Sequence, residues 1–221
     1  MKRLFYHLAD LLFPPKCVLC GKLLEKDQTD LCHSCRADTP ERPAANIKIP
    51  YIAQWHALWY YEGNVRDSLL RYKFSGKSAY SGAYGKLLAM KLFKEGVQAD
   101  VIVWVPISAK RKRKRGFDQV QLIAQALSKE LGIPAVAGLR KHRHTPPQST
   151  LKDISQRRAN ILGAYSPTDR RLVLGKKVLL IDDILTTGAT AGDCARTLLT
   201  AGAKEVLFAA VASAPHQNSK Q

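Results

Sequence analysis

Short apolar runs alternate with stretches of helical periodicity along most of this 221-residue chain. The runs are continuous, as in strands that a parallel sheet buries on both faces. They lie at residues 53–61, 101–106, 178–181 and 206–212, with a shorter one beginning at Val136. The amphipathic stretches between them predict four helices. One begins at Gly63, and the others cover residues 79–94, 120–131 and 191–199. This order predicts an α/β fold with a mostly parallel sheet flanked by helices.

The first fifty residues do not follow this alternation. Leucines at helical spacing predict an amphipathic helix over residues 4–12, which Pro14 and Pro15 stop. The proline-rich stretch 40–50 has no periodicity and is predicted to be a linker. We therefore divide the chain into three parts. They are an N-terminal module with its linker (1–50), an α/β domain (51–214) and a polar tail (215–221) that we expect to be flexible.

Two adjacent carboxylates and a short threonine–glycine loop follow the apolar run at 178–181. Asp182 and Asp183 come at the carboxyl end of this predicted strand, the edge where open α/β sheets bind their ligands. The loop leads directly into the next predicted helix and contains Thr186, Thr187, Gly188, Ala189 and Thr190. Amides and hydroxyls at the start of a helix can converge on a phosphate, and Gly188 lets the backbone approach it closely.

A sugar phosphate satisfies both halves of this motif. Its ring hydroxyls donate to Asp182 and Asp183, while its phosphate accepts hydrogen bonds from the loop. The alternative is a Rossmann-like strand end whose two acids are solvated or cap the turn. The continuous sequence VLLIDDILTTGAT resembles the phosphoribosyl-pyrophosphate (PRPP) motif of type I phosphoribosyltransferases, and this favours the sugar phosphate.

Two Cys-x-x-Cys pairs, Cys17 with Cys20 and Cys32 with Cys35, lie within nineteen residues. Four thiolates at this spacing suit one tetrahedral Zn²⁺ ion. They leave no ligand position for a reacting water, so the predicted role is structural. Disulfides are the alternative, but nothing marks the chain as secreted. His33 could replace a cysteine, although an exposed turn residue is the simpler interpretation.

The chain carries 35 Lys and Arg against 18 Asp and Glu, a formal net charge of +17. This balance favours a polyanionic partner, which could be nucleic acid, a pyrophosphate group or an anionic membrane surface. No apolar stretch approaches the roughly 18 residues that cross a bilayer, and no signal-peptide cleavage site follows the basic N-terminus. We therefore expect a cytoplasmic protein. Docking of the N-terminal helix on the cytoplasmic face of the inner membrane is the alternative to packing against the cysteine module.

Six consecutive cations, residues 110–115, follow the apolar run at 101–106. Because they come after the carboxyl end of a central strand, they should lie at the same edge as the two aspartates, where they could bind pyrophosphate or a nucleic-acid backbone. We take Arg115 and the strand-end loop 107–110 as candidate pyrophosphate contacts and leave the outer lysines available to DNA. The alternative is a solvated loop without a ligand.

The segment 140–160 is too long and too rich in turn formers to be an ordinary connection. It is predicted either to close over a bound anion or to be a structural loop that ends in a helix. The residues that look placed for an anion are Thr145, Gln148, Leu151, Arg157, Arg158 and Asn160. His142 and His144 lie among cations and are interpreted as solvated, and Cys194 as a small buried hydrophobe.

These motifs occur together in one known family. LLFPPxCxxC, RGFDQ, TPPQSxL followed by RRAN, and VLLIDDILTTGAT together resemble the ComF family of competence proteins over nearly the whole chain. The resemblance implies a zinc finger joined to a phosphoribosyltransferase-type domain that acts in DNA uptake during natural transformation. The implied partners are PRPP with Mg²⁺, incoming single-stranded DNA, and a helicase and DNA-processing proteins at the inner membrane.

The resemblance also implies roles for particular residues. It assigns zinc to the four cysteines, the ribose hydroxyls to Asp182 and Asp183, and the 5′-phosphate to residues 186–190. Asp182, Asp183 and Arg115 would then be the catalytic residues, because transfer from PRPP passes through a cationic sugar while a diphosphate leaves. Only one set of four zinc-binding cysteines is present, so a second metal site found in longer relatives is absent.

Three hypotheses about function remain. The first is a PRPP-binding, zinc-containing factor that handles incoming single-stranded DNA. The second is an active phosphoribosyltransferase in nucleotide salvage. The third is a non-catalytic scaffold that binds single-stranded DNA. Since no residue can be named that selects an acceptor base, binding of PRPP is better supported than catalysis.

Overall fold

The computed structural model describes residues 14–43, 48–76, 78–142 and 163–215. The strands are β1 (Gln54–Tyr60), β2 (Val101–Trp104), β3 (Ala135–Val136), β4 (Leu139–Lys141), β5 (Tyr165–Pro167), β6 (Lys177–Leu185) and β7 (Glu205–Ser213). Five of them form one sheet in the order β1-β7-β6-β2-β3, and every neighbouring pair in it is parallel. The predicted mostly parallel sheet is confirmed. The antiparallel ribbon of β4 and β5 is an element that the periodicity did not indicate.

The helices are α1 (His33–Asp38), α2 (Gly63–Phe74), α3 (Tyr80–Lys94), α4 (Ala109–Arg115), α5 (Gln119–Leu131) and α6 (Ala189–Thr200), with a 3₁₀ turn at Arg170–Leu172. Helices α2, α3, α5 and α6 were predicted, and their ends carry ordinary signals. The Asp118 carboxylate accepts the Val120 and Gln121 amides at the start of α5, and Gly132 ends that helix with a φ of 68°.

The sheet has an apolar layer on each face. One layer joins the sheet to α2, α3 and α5 through buried side chains that include Leu69, Leu88 and Ile123. The other joins it to α6 and to the β4–β5 ribbon through Leu198, Tyr165 and others. Cys194 is fully buried in this second layer, which confirms its interpretation as a small hydrophobe. Helices α5 and α6 therefore lie on opposite faces of the sheet.

The cysteine module packs into the first of these layers. Cys17, Val18 and Leu19 belong to the same apolar cluster as the side chains of α2 and α3. The Ser68 hydroxyl donates to the carbonyl of Val18, and the Arg71 guanidinium donates to the carbonyl of Leu19. Two side chains of α2 thus satisfy backbone groups of the module, so the module and the sheet domain share one core.

The described parts of the predicted linker are also held by the domain. The Arg42 amide donates to the Leu58 carbonyl of β1 at 2.7 Å, and the Arg42 guanidinium carbon lies 4.4 Å from the centre of the Trp55 ring. Lys91 of α3, which is 4% exposed, donates to the Arg42 carbonyl at 2.8 Å. Ile49 is buried in the layer that contains α6.

Several predictions fall outside the described residues. They are the helix over residues 4–12, His144, the tail beyond residue 215, and the loop residues Thr145, Gln148, Leu151, Arg157, Arg158 and Asn160. Among the residues that are described, no helix has both the length and the apolar character needed to span a bilayer.

Candidate functional site

A cavity of about 790 Å³ opens at the carboxyl edge of the sheet. It lies between β2 and β6, whose following helices pack on opposite faces, so the strand order reverses at this point. Open α/β sheets bind ligands in such a crevice, and sites for small molecules typically measure about 300–1,000 Å³. Six cationic side chains and two carboxylates line it, namely Lys73, Lys110, Arg111, Lys114, Arg115, Lys141, Asp182 and Asp183.

The two carboxylates have different surroundings, because β6 continues to Leu185 and both residues lie within the strand. Successive side chains of a strand point to opposite faces. The Asp183 side chain accepts hydrogen bonds from Lys73 Nζ at Oδ1 and from Gln119 Nε2 at Oδ2, each at 3.0 Å. Asp183 is 6% exposed and forms a buried ion pair with Lys73. Asp182 is half-buried and forms no ion pair among the described residues.

Asp182 faces the side of the cavity that the β4–β5 ribbon covers. Burial, together with the negative charge of Asp183, raises the pKa of the Asp182 carboxyl. Lys141 Nζ donates to the Tyr165 hydroxyl at 3.1 Å, and burial lowers the pKa of this lysine. Both residues line the cavity. The Asp182 Oδ1 accepts the Asp183 amide at 2.8 Å, and no side chain of the described residues engages the carboxyl, so Asp182 is the acid of the pair that can still contact a ligand in the cavity that Lys141 and Tyr165 also line.

The threonine–glycine loop forms one end of the cavity. Thr186, Gly188 and Thr190 line it, whereas Thr187 and Ala189 do not belong to the lining. The Thr187 hydroxyl instead accepts the Ala189 amide at 3.4 Å, within the turn that starts α6. Gly188 has a φ of 76°, and a Cβ at this position would come within 3.0 Å of the Ile49 side chain. The glycine is thus needed for both the turn and the close approach of residue 49.

The six consecutive cations form the helix α4, which the apolar periodicity did not predict, so Lys110 belongs to this helix and not to the predicted strand-end loop 107–110. Ser108 caps the helix by accepting the Arg111 amide, and Gly116 ends it with a φ of 82°. Lys and Arg are good helix formers, and the two caps offset the repulsion between like charges four residues apart, Lys110 with Lys114 and Arg111 with Arg115. One face supplies the cavity with Lys110, Arg111, Lys114 and Arg115. The other face carries Lys112 and Arg113, which are exposed.

An aromatic ring lies at the mouth of the cavity beside α4. The Arg115 guanidinium carbon is 5.1 Å from the centre of the Phe74 ring, and Phe74 is 66% exposed. Five residues of this site were not among those predicted for it, namely Phe74, Lys73, Gln119, Lys141 and Tyr165. For Gln119 the signal was present, because it is the last residue of the RGFDQ motif. Lys141 lies in the segment 140–160 that was predicted to close over an anion, although it was not singled out there. For Phe74, Lys73 and Tyr165 no local pattern indicated a place in the site.

The four cysteines converge as a metal site requires. Their Sγ atoms all lie within 4.8 Å of one another, and Cys20 Sγ is 3.7 Å from Cys32 Sγ. A tetrahedral site with zinc–sulfur bonds of about 2.3 Å has sulfur–sulfur edges of about 3.8 Å, so the residues fit Zn²⁺. All four cysteines are free thiols, which removes the disulfide alternative. His33 is exposed and contacts Asp27 at 2.9 Å, outside the sulfur cluster.

Comparison with protein families matches two segments of the chain. Residues 121–221 match the phosphoribosyl transferase domain, and residues 8–46 match the double zinc ribbon domain. Together with the sheet topology, these matches confirm a phosphoribosyltransferase-like fold with an N-terminal zinc-binding cysteine cluster. The chain's fifth cysteine is Cys194 in α6, so its cysteines make one such cluster. The two matches leave residues 47–120 outside both domains.

Curated relatives cover most of the chain. The DNA utilization protein YhgH of Escherichia coli O157:H7 is 31% identical over 208 residues, which is 86% of each chain. Competence protein ComFC of Streptococcus pneumoniae is 29% identical and covers 86% of this chain and 96% of its own length. Competence protein ComFC of Bacillus subtilis is 27% identical over 84% of this chain and 72% of that protein.

Solved structures resemble the chain over a smaller part. The allosteric regulatory enzyme of purine biosynthesis is 25% identical with a TM-score of 0.43, and the match covers 63% of this chain and 29% of that one. Purine phosphoribosyltransferase from Pyrococcus horikoshii is 21% identical with a TM-score of 0.36, over 61% of this chain and 73% of that one. The chain thus spans less than a third of the first of these two structures.

Proposed function

Because the chain belongs to the ComF family of competence proteins, we propose that its cavity binds PRPP and that this binding serves the handling of incoming single-stranded DNA in DNA uptake. One observation carries the proposal. A single cavity combines an open carboxyl, a threonine–glycine loop at a helix start and a row of cations. These groups complement the hydroxyls, the 5′-phosphate and the diphosphate of PRPP, respectively.

In this proposal each part of the ligand has its own contacts. The ribose hydroxyls donate to Asp182, and the 5′-phosphate accepts from the loop at Thr186, Gly188 and Thr190. The diphosphate lies along α4, where Arg111 and Arg115 offer forked donors that match phosphate oxygens. Mg²⁺ would arrive with the diphosphate and neutralise part of its charge. Asp182 is the carboxylate that could reach such an ion, because Asp183 is already paired with Lys73.

An active phosphoribosyltransferase of nucleotide salvage is the competing assignment for the same cavity. In that reaction an acceptor nitrogen attacks C1′ of PRPP, the bond from C1′ to the diphosphate oxygen breaks, and pyrophosphate leaves with the bonding electrons. The two assignments differ in a simple measurement. Pyrophosphate released from PRPP only when a nucleobase is added would favour the transferase. Binding without release would favour a ligand-sensing role in DNA uptake.

Asp182→Asn is expected to weaken PRPP binding at least about tenfold, because a carboxyl oxygen that accepts from sugar hydroxyls is replaced by an amide NH₂ that only donates, while the side chain keeps its shape. Calorimetric titration of the full chain with PRPP and Mg²⁺ measures this change. Asp67→Asn on α2 is the matched control, because Asp67 is exposed and lies outside the cavity lining. Asp182→Asn combined with Asp183→Asn should remove measurable binding. Affinity equal to that of the wild type in both aspartate variants would refute the proposed site.

A second candidate function, contact with single-stranded DNA, is favoured by the outer face of α4. Lys112 and Arg113 are exposed beside the mouth of the cavity, and the exposed Phe74 ring lies against Arg115. Cations that follow a phosphate backbone and an aromatic ring that stacks on a base are the usual elements of single-strand binding. We propose that DNA is bound at this surface. A cytoplasmic protein near the inner membrane, beside a helicase and DNA-processing proteins, would meet such a strand as it enters the cell.

Lys112→Gln with Arg113→Gln is expected to reduce the salt dependence of DNA binding. The plot of log K against log salt has a negative slope, and each lost phosphate contact on a single strand makes it shallower by about 0.7. The slope of the double variant should therefore be about 1.4 smaller in magnitude than that of the wild type. Fluorescence anisotropy with a labelled oligonucleotide at several salt concentrations measures the slope. Lys94→Gln with Lys129→Gln removes the same charge from exposed positions on α3 and α5 and should change the slope less. Equal slopes in the two double variants would contradict binding at α4.

A further inference from the structure

Gln119 presents a buried acceptor that the fold leaves unused. It is the first residue of α5, is 3% exposed, and lines the cavity. Its Nε2 donates to Asp183, and its backbone carbonyl accepts the Tyr72 hydroxyl at 2.7 Å. Its Oε1 has no hydrogen-bond partner among the described residues. Buried polar atoms are nearly always paired, because leaving one unpaired costs about 1–3 kcal/mol.

The orientation of this amide follows from its neighbour. If the amide were turned over, its oxygen would face the Asp183 carboxylate, and two acceptors would meet without a hydrogen between them. The nitrogen therefore belongs on Asp183 and the oxygen on the other side. Lys73 completes the arrangement by pairing with the second oxygen of Asp183 at 3.0 Å. Asp183 thus accepts one hydrogen bond on each oxygen, and these contacts hold the Gln119 amide in its orientation.

We propose that Gln119 Oε1 accepts a hydrogen bond from a ring hydroxyl of the bound sugar phosphate, which makes Gln119 a residue that selects for ribose. The proposal rests on the proposed function, since it concerns the sugar part of the same ligand. The sequence predicted that Asp183 binds a ribose hydroxyl. In this proposal Asp183 instead orients the Gln119 side-chain amide, and Gln119 binds that hydroxyl. Nucleotides within a DNA strand have neither a 2′-hydroxyl nor a free 3′-hydroxyl. The cavity would therefore discriminate against DNA sugars while DNA binds outside it.

Part of the sugar site comes from outside the matched phosphoribosyl transferase segment. Lys73 and Gln119 both precede residue 121, where that match begins. The helix α2 that carries Lys73 is also the helix that holds the cysteine module through Ser68 and Arg71. The region between the two matched domains thus supplies both the anchor of the module and the groups that orient the amide.

The test measures the binding of ribose 5-phosphate, 2-deoxyribose 5-phosphate and 3-deoxyribose 5-phosphate by titration calorimetry. The wild type should bind at least one of the deoxy sugars about five- to tenfold more weakly than the ribose compound. Gln119→Leu should lose the discrimination at the hydroxyl that Gln119 contacts and keep any preference that depends on Asp182. Gln125→Leu makes the same change at an exposed position of α5 and should keep the wild-type preference.

The outcomes separate this proposal from the proposed function. Failure of the wild type to bind any of the sugar phosphates or PRPP would overturn the proposed function. Binding of PRPP without a preference for ribose, or the same preference over each deoxy sugar in Gln119→Leu as in the wild type, would overturn the inference alone. If Gln119 had only a structural role, Gln119→Leu would lower the affinity for all three sugar phosphates by the same factor, and the ratios of these affinities would not change. This outcome would also overturn the inference. If Gln119→Leu does not fold, Gln119→Met provides the same measurement, because it also lacks the amide.

Discussion

Removal of zinc from the four-cysteine site is expected to unfold the α2–α3 side of the molecule as well as the N-terminal module. Cys17, Val18 and Leu19 are part of the apolar cluster that these helices share with the sheet. Without the metal, the backbone carbonyls that accept from Ser68 and Arg71 lose their fixed positions. Metal binding in such sites contributes directly to folding, so we expect a loss of at least about 4 kcal/mol and a fall in Tm of about 10 °C.

Thermal unfolding with and without a chelator, combined with metal analysis, checks this expectation. Cys17→Ser should reproduce the effect of the chelator and remove the zinc. Cys194→Ser changes a buried thiol outside the cluster, so it should keep the metal and remain sensitive to the chelator. Hydrogen exchange provides the decisive comparison. Unchanged protection of the α2 and α3 amides after zinc removal would mean that the module folds independently of the sheet domain.

Lys73→Met is expected to lower the free energy of unfolding by about 3 kcal/mol. It leaves the Asp183 carboxylate, which is 6% exposed, without its ion-pair partner. Loss of one member of a buried pair typically costs about 3–5 kcal/mol, because the remaining charge is buried alone. The double variant Lys73→Met with Asp183→Asn should recover most of the loss, since it buries no unpaired charge. Urea unfolding of the two single variants and the double variant measures the coupling.

Lys86→Met is the matched control for this experiment. Its ion pair with Asp30 has the same 3.0 Å separation, but the lysine side chain is 42% exposed, against 14% for Lys73. An exposed pair is worth less than about 1 kcal/mol, so this variant should lose little stability. Purely additive effects of the Lys73 and Asp183 substitutions would show that the pair does not stabilise the site.

Much of the architecture could be predicted because local patterns agree with the tertiary structure. Continuous apolar runs identified β1, β2, β6 and β7, which are buried on both faces. Helix α5 was recognisable from its apolar stripe and from Gly132 beyond its end. The four cysteines were recognisable because metal ligands that lie close in sequence need only two tight turns to converge.

Helix α4 was not predicted, because it has no apolar stripe. Six of its seven residues are Lys or Arg, and the capping residues Ser108 and Gly116 are what stabilise so short a helix. The same limit applied to Lys73 and Gln119. Each is an ordinary polar residue on its own helix, and only the packing of α2 and α5 against β6 brings both to Asp183.

The parallel sheet, the edge at which the candidate site lies and the cysteine cluster could all be inferred from the residues alone, because periodicity and short-range spacing are local properties of the chain. The tertiary structure alone decided the different surroundings of Asp182 and Asp183. Adjacent side chains of a strand point to opposite faces, so the partners of each carboxylate depend on which helix or ribbon covers that face. Lys73 meets Asp183 across 110 positions of sequence, and such a contact follows from packing and not from any local pattern.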